Sequence, residues 1–321
     1  MRDRLVKQMF GAGVVLAMML VTTLVFFAEP PSNAQSVAAD PDTELYAPDG
    51  ADTCLTCHTN PRVTPVLNSV HWVKANPKTP GANQECESCH GASADHYRSM
   101  QSPTVVFGEA TGRFPASEVA VQNQACLSCH ESGQRIHWAS SEHQFGELTC
   151  VSCHQIHQEG SPAPQGMASV DLCLGCHLEK RAQINMRSHH PLTEGLMTCS
   201  SCHNPHGSEA ATLLAKASVN DTCTSCHAEK RGPFLWEHEP VTDSCTTCHN
   251  PHGATQSRML TSRPPFLCQT CHSDVFHPSS LYSGTGLPPV GAAQQSLGSA
   301  CTNCHSQIHG SNHPSGARLT R

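Results

Sequence analysis

Apolar residues concentrate in one run near the start of the chain, at positions 9–28. Three basic residues precede this run. In Ser32-Asn33-Ala34, small residues lie three positions and one position before Gln35. A basic start, an apolar run and a small-residue site are the three parts of a secretory signal peptide. Residues 1–34 are therefore predicted to be a cleaved signal peptide, with an uncleaved membrane anchor as the alternative, since about 19 apolar residues can span a bilayer.

Beyond this run no segment could cross a membrane, and the pattern predicts short helices joined by long irregular loops, with almost no sheet. Among the 321 residues are only three Trp, three Tyr and nine Phe, against 20 Cys, 23 His, 23 Pro and 22 Gly. Such a chain buries too little side-chain surface to offset its ordering entropy, so another group must fill its interior. Lys and Arg (19) are fewer than Asp and Glu (26), which excludes a strongly basic nucleic-acid-binding protein.

Every cysteine belongs to a C-x-x-C pair, and a histidine follows each pair directly. The ten motifs are Cys54-Cys57-His58, Cys86-Cys89-His90, Cys126-Cys129-His130, Cys150-Cys153-His154, Cys173-Cys176-His177, Cys199-Cys202-His203, Cys223-Cys226-His227, Cys245-Cys248-His249, Cys268-Cys271-His272 and Cys301-Cys304-His305. C-x-x-C-H is the attachment signature of c-type haem. Cysteines three apart on a helical turn share one face, so both thiols can form thioethers with one porphyrin, and the histidine becomes the proximal iron ligand.

Zinc sites and disulfides are the alternatives for a cysteine-rich chain. Zinc needs four ligands and does not require a histidine after every second cysteine, and a redox dithiol needs one pair rather than ten. The sequence therefore predicts ten covalently bound c-type haems, whose porphyrins form the apolar interior.

Thirteen further histidines are enough to give each iron a second histidine, with three to spare. Spacing from the motifs selects the expected distal ligands: His71, His96, His143, His157, His190, His206, His238, His252, His277 and His309, with His313 competing with His309. His137 and His189 have no equivalent in the repeats and are interpreted as extra residues. In Asn204-Pro205-His206-Gly207 the Asn-Pro and Gly signals break the motif helix, so this histidine is predicted to ligate a neighbouring haem.

A two-haem unit repeats between Cys150 and Cys268, where first cysteines of equivalent motifs lie 49 and 46 residues apart. Repeats that cannot bury their own apolar face need their neighbours and form a quasi-linear array. The expected fold is a multihaem cytochrome c, with short helices and loops wrapped on a linear haem chain. Its two pentahaem halves are predicted at residues 35–185 and 186–321.

The chain resembles the MtrA family of periplasmic decahaem cytochromes, which includes PioA, MtoA and DmsE. The resemblance is carried by the ten motifs and by residues 220–223, 228–233, 235–238 and 309–316. It implies an elongated haem chain with bis-histidine irons, inserted in an outer-membrane β-barrel porin of the MtrB type. It also implies partners at both ends, namely periplasmic cytochromes and an extracellular multihaem cytochrome or mineral.

The function expected on this basis is electron transfer across the outer membrane, for extracellular respiration or Fe(II) oxidation, without enzymatic activity. A soluble periplasmic electron shuttle is one alternative. A multihaem reductase is another, and it would need an iron with an open coordination position. The C-x-x-C-Lys motif that often marks such a haem in nitrite reductases is absent from the sequence.

Overall fold

A computed structural model describes residues 45–108, 113–161, 163–272 and 300–321. The predicted signal peptide and the predicted distal ligand His277 lie outside these ranges. Residues Leu45–Arg321 form a single unit by their internal contacts. The division into two pentahaem halves at residue 185 stays a prediction.

Short helices and loops make up the described residues, as the sequence predicts. The α-helices are α1 (Ala51–Leu55), α2 (Glu87–His90), α3 (Ala94–Ser99), α4 (Val119–Leu127), α5 (Glu142–Phe145), α6 (Gly166–Cys176), α7 (Leu178–Ile184), α8 (Val219–Thr224), α9 (Glu239–Asp243) and α10 (Phe266–Gln269). Single 3₁₀ turns lie at Thr64–Asn68, Val70–Trp72, Pro80–Ala82, Gly133–Arg135, Trp138–Ser140, Cys150–Ser152, Cys199–Ser201, Ala211–Leu213, Ala228–Lys230, Cys245–Thr247, Ser257–Met259 and Cys301–Asn303.

Extended pairing is limited, in the described ranges, to isolated bridges such as those joining Ser188 to Ala254 and Trp236 to Ser311. No helix in these ranges is both long enough and apolar enough to span a membrane.

The two-haem repeat appears as an alternation of helix types. The odd-numbered motifs have their first cysteine within α1, α4, α6, α8 and α10. The even-numbered motifs start 3₁₀ turns, except the second, which starts the one-turn helix α2. Because each odd motif ends its helix, the chain turns away directly after the proximal histidine.

Side-chain packing supplies one small apolar cluster in the described residues. Val170 and Leu174, four apart on one face of α6, pack with Ile184 of α7, and Leu192 covers them. Full burial of such side chains stabilises by roughly 2 kcal/mol each, whereas ordering each residue costs about 1–2 kcal/mol. Many large apolar side chains elsewhere are exposed, among them Leu196 at 78% and Phe145 at 74%. In the part of the chain that the structure describes, the side chains alone therefore make only a small core.

Two buried or half-buried asparagines connect the odd and even motifs of a unit. The Asn123 amide donates to the carbonyl of Leu148 and its oxygen accepts the amide of Cys150 at 2.8 Å. The Asn220 amide donates to the carbonyls of Val241 and Thr242, and its oxygen accepts the amide of Cys245 at 2.9 Å. Both asparagines lie three residues before the first cysteine of an odd motif, a recurrence that the sequence displays without indicating the bonding partner.

Candidate functional site

Each of the ten motifs forms the same helical turn. The amide of the motif histidine donates to the carbonyl of the first cysteine at 2.9–3.0 Å in every case, from His58 to His305. This is the i to i−4 bond of an α-helix, and it brings both thiols of a motif to one face. The two cysteines and the histidine are thus arranged alike ten times.

Nine motif histidines face a second histidine from elsewhere in the chain. The centroid distances are His58–His96 6.1 Å, His71–His130 6.0 Å, His90–His157 6.1 Å, His143–His177 6.2 Å, His154–His206 5.8 Å, His190–His227 6.3 Å, His203–His252 6.0 Å, His238–His272 6.1 Å and His249–His309 6.2 Å. Two imidazoles that bind one metal from opposite sides, each at about 2 Å, have centroids roughly 6 Å apart. The pairs have the separation that an axially ligated iron requires.

The partners follow a simple order along the chain. From the third motif onward, an odd motif faces a histidine lying between the two preceding motifs, as His130 faces His71. The histidine of each even motif, from the second to the eighth, faces a histidine that follows the next even motif. His154 of the fourth motif, for example, faces His206, which follows the sixth motif. Consecutive two-motif units are therefore interlocked by histidines in both directions.

The structure brings nine of the ten histidines selected by spacing beside a motif histidine, and the tenth, His277, is outside the described residues. Of the two competitors His309 and His313, it is His309 that faces His249. The His313 ring instead accepts a hydrogen bond from the Ser315 amide at 3.2 Å. His137 and His189 face no motif histidine within the described part of the chain.

Many of the motif histidines and of the histidines that face them have one ring nitrogen beside a backbone carbonyl. Nδ1 of His90, His96, His143, His190, His203, His238, His249 and His305 lies 2.6–3.1 Å from a carbonyl oxygen. A neutral imidazole that donates from Nδ1 has a lone pair on Nε2, the form that binds a metal. Burial also lowers the pKa of His71, His90, His130, His157, His206, His252 and His309, which favours that neutral form.

Sequence reasoning did not find the carbonyls that orient these rings. Those facing His203 and His249 belong to Thr212 and Arg258, which have φ of 56° and 60°. Non-glycine residues seldom adopt this left-handed conformation, and no composition signal marks these two.

Motif thiols contact one another in the order of the sequence. First cysteines meet within each unit: Cys54–Cys86, Cys126–Cys150, Cys173–Cys199, Cys223–Cys245 and Cys268–Cys301. The contact with Cys86 lowers the pKa of the Cys54 thiol to about 7, and the contact with Cys173 does the same for the pKa of Cys199. No disulfide joins the described cysteines.

Second cysteines lie close between units. Burial raises the pKa of Cys89, Cys153, Cys202 and Cys248, and the nearby thiols of Cys129, Cys176, Cys226 and Cys271 raise it further. Thiol contacts within units and nearby thiols between units alternate from Cys54 to Cys301, so the ten motifs form one series.

The residues fit covalently attached haem on two grounds: the paired thiols of each motif and the separations of the facing imidazoles. Repeated haem-attachment turns with histidine pairs define a multihaem cytochrome c.

Comparisons with known proteins agree with this class. A family model for a doubled CXXCH motif matches residues 189–232 and 238–277, and one for the NrfB-like cytochrome c-type protein matches residues 86–170. The chain is 46% identical to the multiheme cytochrome MtrA of Shewanella baltica over 279 residues, covering 86% of this chain and 83% of that protein. It is 27% identical to the cytochrome c-type protein NrfB of Escherichia coli over 185 residues, covering 56% of this chain and 91% of NrfB. The chain belongs to the MtrA family of multihaem cytochromes.

Proposed function

We propose that this protein is a decahaem conduit that carries electrons across the outer membrane. It would be held in a β-barrel porin of the MtrB type and would connect periplasmic cytochromes with an extracellular cytochrome or metal. One observation carries the proposal: neighbouring motif thiols form a series from the first motif to the last, and nine of the ten motif histidines face a second histidine. Ten redox centres in a continuous series suit conduction over a distance.

The residue roles follow from the repeat. The twenty cysteines form thioethers, the ten motif histidines are proximal ligands, and the nine facing histidines are distal ligands. His277 completes the set with His305, because it is the one selected distal histidine left for the one motif without an assigned partner. Haem held by these residues would supply one-electron redox chemistry at its iron. The chain itself holds the groups in sequence, covers them and supplies the axial ligands.

A carrier role without bond chemistry follows from this ligation. Substrate reduction at iron needs an open or weakly held coordination position, and two histidines per iron leave none. Periplasmic location, after removal of residues 1–34, agrees with haem attachment to exported chains and with similarity to MtrA.

Haem number and membrane conduction need separate experiments. The intact mass of the protein, made in a host that attaches haem c, should equal the polypeptide from Gln35 plus ten haems. A mass with fewer haems would contradict the decahaem assignment.

Conduction is tested in liposomes that enclose a redox dye and contain the protein with its porin. External reductant should reduce the dye, and a variant with Cys199 and Cys202 replaced by Ala should abolish this transfer by removing the sixth haem. The His189→Ala variant, outside the ligand set, is the control. Dye reduction that persists in the double cysteine variant would contradict a single serial path.

A soluble periplasmic shuttle is the second candidate, favoured by the NrfB-like match at residues 86–170. A shuttle would exchange electrons with periplasmic cytochromes without a porin. It would then leave the enclosed dye oxidised even in the presence of porin and would not co-purify with a barrel protein.

A further inference from the structure

One hydrogen bond recurs between neighbouring units. Nδ1 of His143 lies 2.7 Å from the carbonyl of Pro205, that of His190 lies 2.8 Å from Pro251, and that of His238 lies 3.0 Å from Ile308. In each case the carbonyl belongs to the residue directly before another paired histidine, His206, His252 or His309. These three histidines face the histidines of the fifth, seventh and ninth motifs, and they are thus oriented in the same way. Each haem site is numbered by its motif.

The third site breaks this rule. Its distal histidine, His71, should contact the carbonyl of Ile156, which precedes His157. Instead Nδ1 of His71 is buried and has no hydrogen-bond partner among the described residues. A buried polar nitrogen without a partner is rare in proteins, because it loses its hydrogen bonds to water without replacing them.

A change of register explains the exception. Ser188 and Trp236, each two residues before the distal histidine, form antiparallel bridges with Ala254 and Ser311, each two residues after the paired histidine. The counterpart Ser69 bridges in parallel to Gly160, three residues after His157. The loop after His157 therefore reaches its contact one residue later.

The residue that follows His157 differs from the residue at the corresponding position of the other units. Glycine follows His206, His252 and His309, and at Gly253 φ is 143°, where any Cβ would overlap the carbonyl oxygen of Gln183. Only glycine allows this approach of two backbones. Gln158 stands where that glycine would be, so the His157 loop docks by another path and the Ile156 carbonyl does not reach His71.

We infer that the third site, ligated by His130 and His71, has the highest reduction potential among the four equivalent sites at the third, fifth, seventh and ninth motifs. An Nδ1–H that donates to a carbonyl makes its imidazole a stronger donor to iron. A stronger donor stabilises the more highly charged ferric state, so a ring without that bond favours the ferrous state. Electrons would therefore dwell at the third site. The inference rests on the bis-histidine ligation proposed above, and it makes Gln158 a positioning residue.

Two methionine variants identify the potentials to be compared. Methionine ligation raises the midpoint potential of a haem. A midpoint potential that is present in the wild-type protein and missing from a variant therefore belongs to the substituted site. In potentiometric titrations followed by electron spin resonance, His71→Met should remove a higher midpoint than His190→Met removes. A tenfold difference in the ferric-to-ferrous equilibrium is expected, which corresponds to about 59 mV. An equal or lower midpoint for the His71 site would overturn the inference.

Rescue of the missing bond is the second measurement. Gln158→Gly combined with deletion of Glu159 recreates the loop length and glycine of the other units. It should lower the third-site midpoint while the midpoint removed by His190→Met stays unchanged, and no change at the third site counts against the inference. If this variant does not fold, the comparison of the two methionine variants decides alone. If His71→Met moves no midpoint, His71 is not a ligand, and the proposed ligation fails rather than the inference about potentials.

Discussion

The adjacent histidines His189 and His190 lie in different environments. His190 faces the motif histidine His227 at 6.3 Å, and its Nδ1 is held by the Pro251 carbonyl. His189 is bonded to the Met186 carbonyl and to the Glu194 carboxylate, which raise its pKa and favour the protonated ring. A protonated imidazole has no lone pair for a metal.

Substitution of these two residues separates ligand from neighbour. On the proposed ligation, His190→Ala removes one axial ligand of the seventh haem, so one of the ten expected low-spin signals in electron spin resonance should become high-spin. The haem stays attached through Cys223 and Cys226, and the intact mass should fall only by the side-chain difference. His189→Ala, one residue away, should leave all ten signals in place. Ten low-spin signals in the His190→Ala protein would contradict its role as ligand.

Glu85, which lies between the first and second motifs, makes the stability of the protein dependent on pH. Its pKa is lowered, although burial opposes this, because Lys74 at 2.8 Å and the Ala51 amide stabilise the carboxylate. A carboxyl with a lowered folded-state pKa stabilises the fold above its ordinary value of 4.5, and the contribution is lost as pH falls through the folded value.

Thermal unfolding between pH 7 and pH 3 measures this effect. The melting temperature of Glu85→Gln should be lower than wild type at pH 7, and the two should converge at pH 3. The exposed Glu118, whose carboxylate makes no ion pair with a described residue, gives the matched control Glu118→Gln. A constant difference between wild type and Glu85→Gln across this range would show that the carboxylate charge is not responsible.

At the scale of elements, glycines at the unit contacts set how closely the loops dock. Gly253 has φ of 143°, and a Cβ at this position would overlap the Gln183 carbonyl. Gly253→Ala combines backbone strain with a steric clash, each costing about 1–3 kcal/mol, so it should lower the unfolding free energy by about 2–6 kcal/mol. Chemical denaturation followed by circular dichroism tests this.

Gly175 provides the comparison, because it lies within α6 and, unlike Gly253, does not have a positive φ. Gly175→Ala should stabilise the protein by up to about 1 kcal/mol through helix propensity. Equal effects of the two alanines would mean that Gly253 is not a close contact.

These elements also show what sequence reasoning could reach. The ten motif turns follow from local spacing, since Cys and His at i, i+3 and i+4 share a turn whatever surrounds them. The choice of nine distal histidines followed from recurrence of offsets. Which motif each one faces, such as His157 with His90, depends on docking between units far apart in the chain, which no local signal encodes. The same holds for the Thr212 carbonyl, supplied by a backbone conformation unusual for threonine.

At the scale of the whole molecule, the order of the chain depends on groups that its own side chains do not supply. Only eight apolar side chains are buried among the described residues, and Val170, Leu174 and Ile184 form their single cluster. So little buried apolar surface cannot offset the conformational entropy lost when a chain of this length is ordered. Ten porphyrins in thioether linkage would provide the missing apolar surface.

The chain made without haem attachment should therefore be unfolded, with no cooperative thermal transition in circular dichroism, whereas the fully loaded protein should show one. A cooperative transition in the haem-free chain would mean that the fold exists without its porphyrins.

Loss of a single haem should act locally, because each unit of an array contacts only its neighbours. With Cys245 and Cys248 replaced by Ala, hydrogen exchange should accelerate around residues 218–260 and remain unchanged in α1 and α2, which are seven and six motifs away. Uniform acceleration of hydrogen exchange in the double variant would mean that the units are not a linear array.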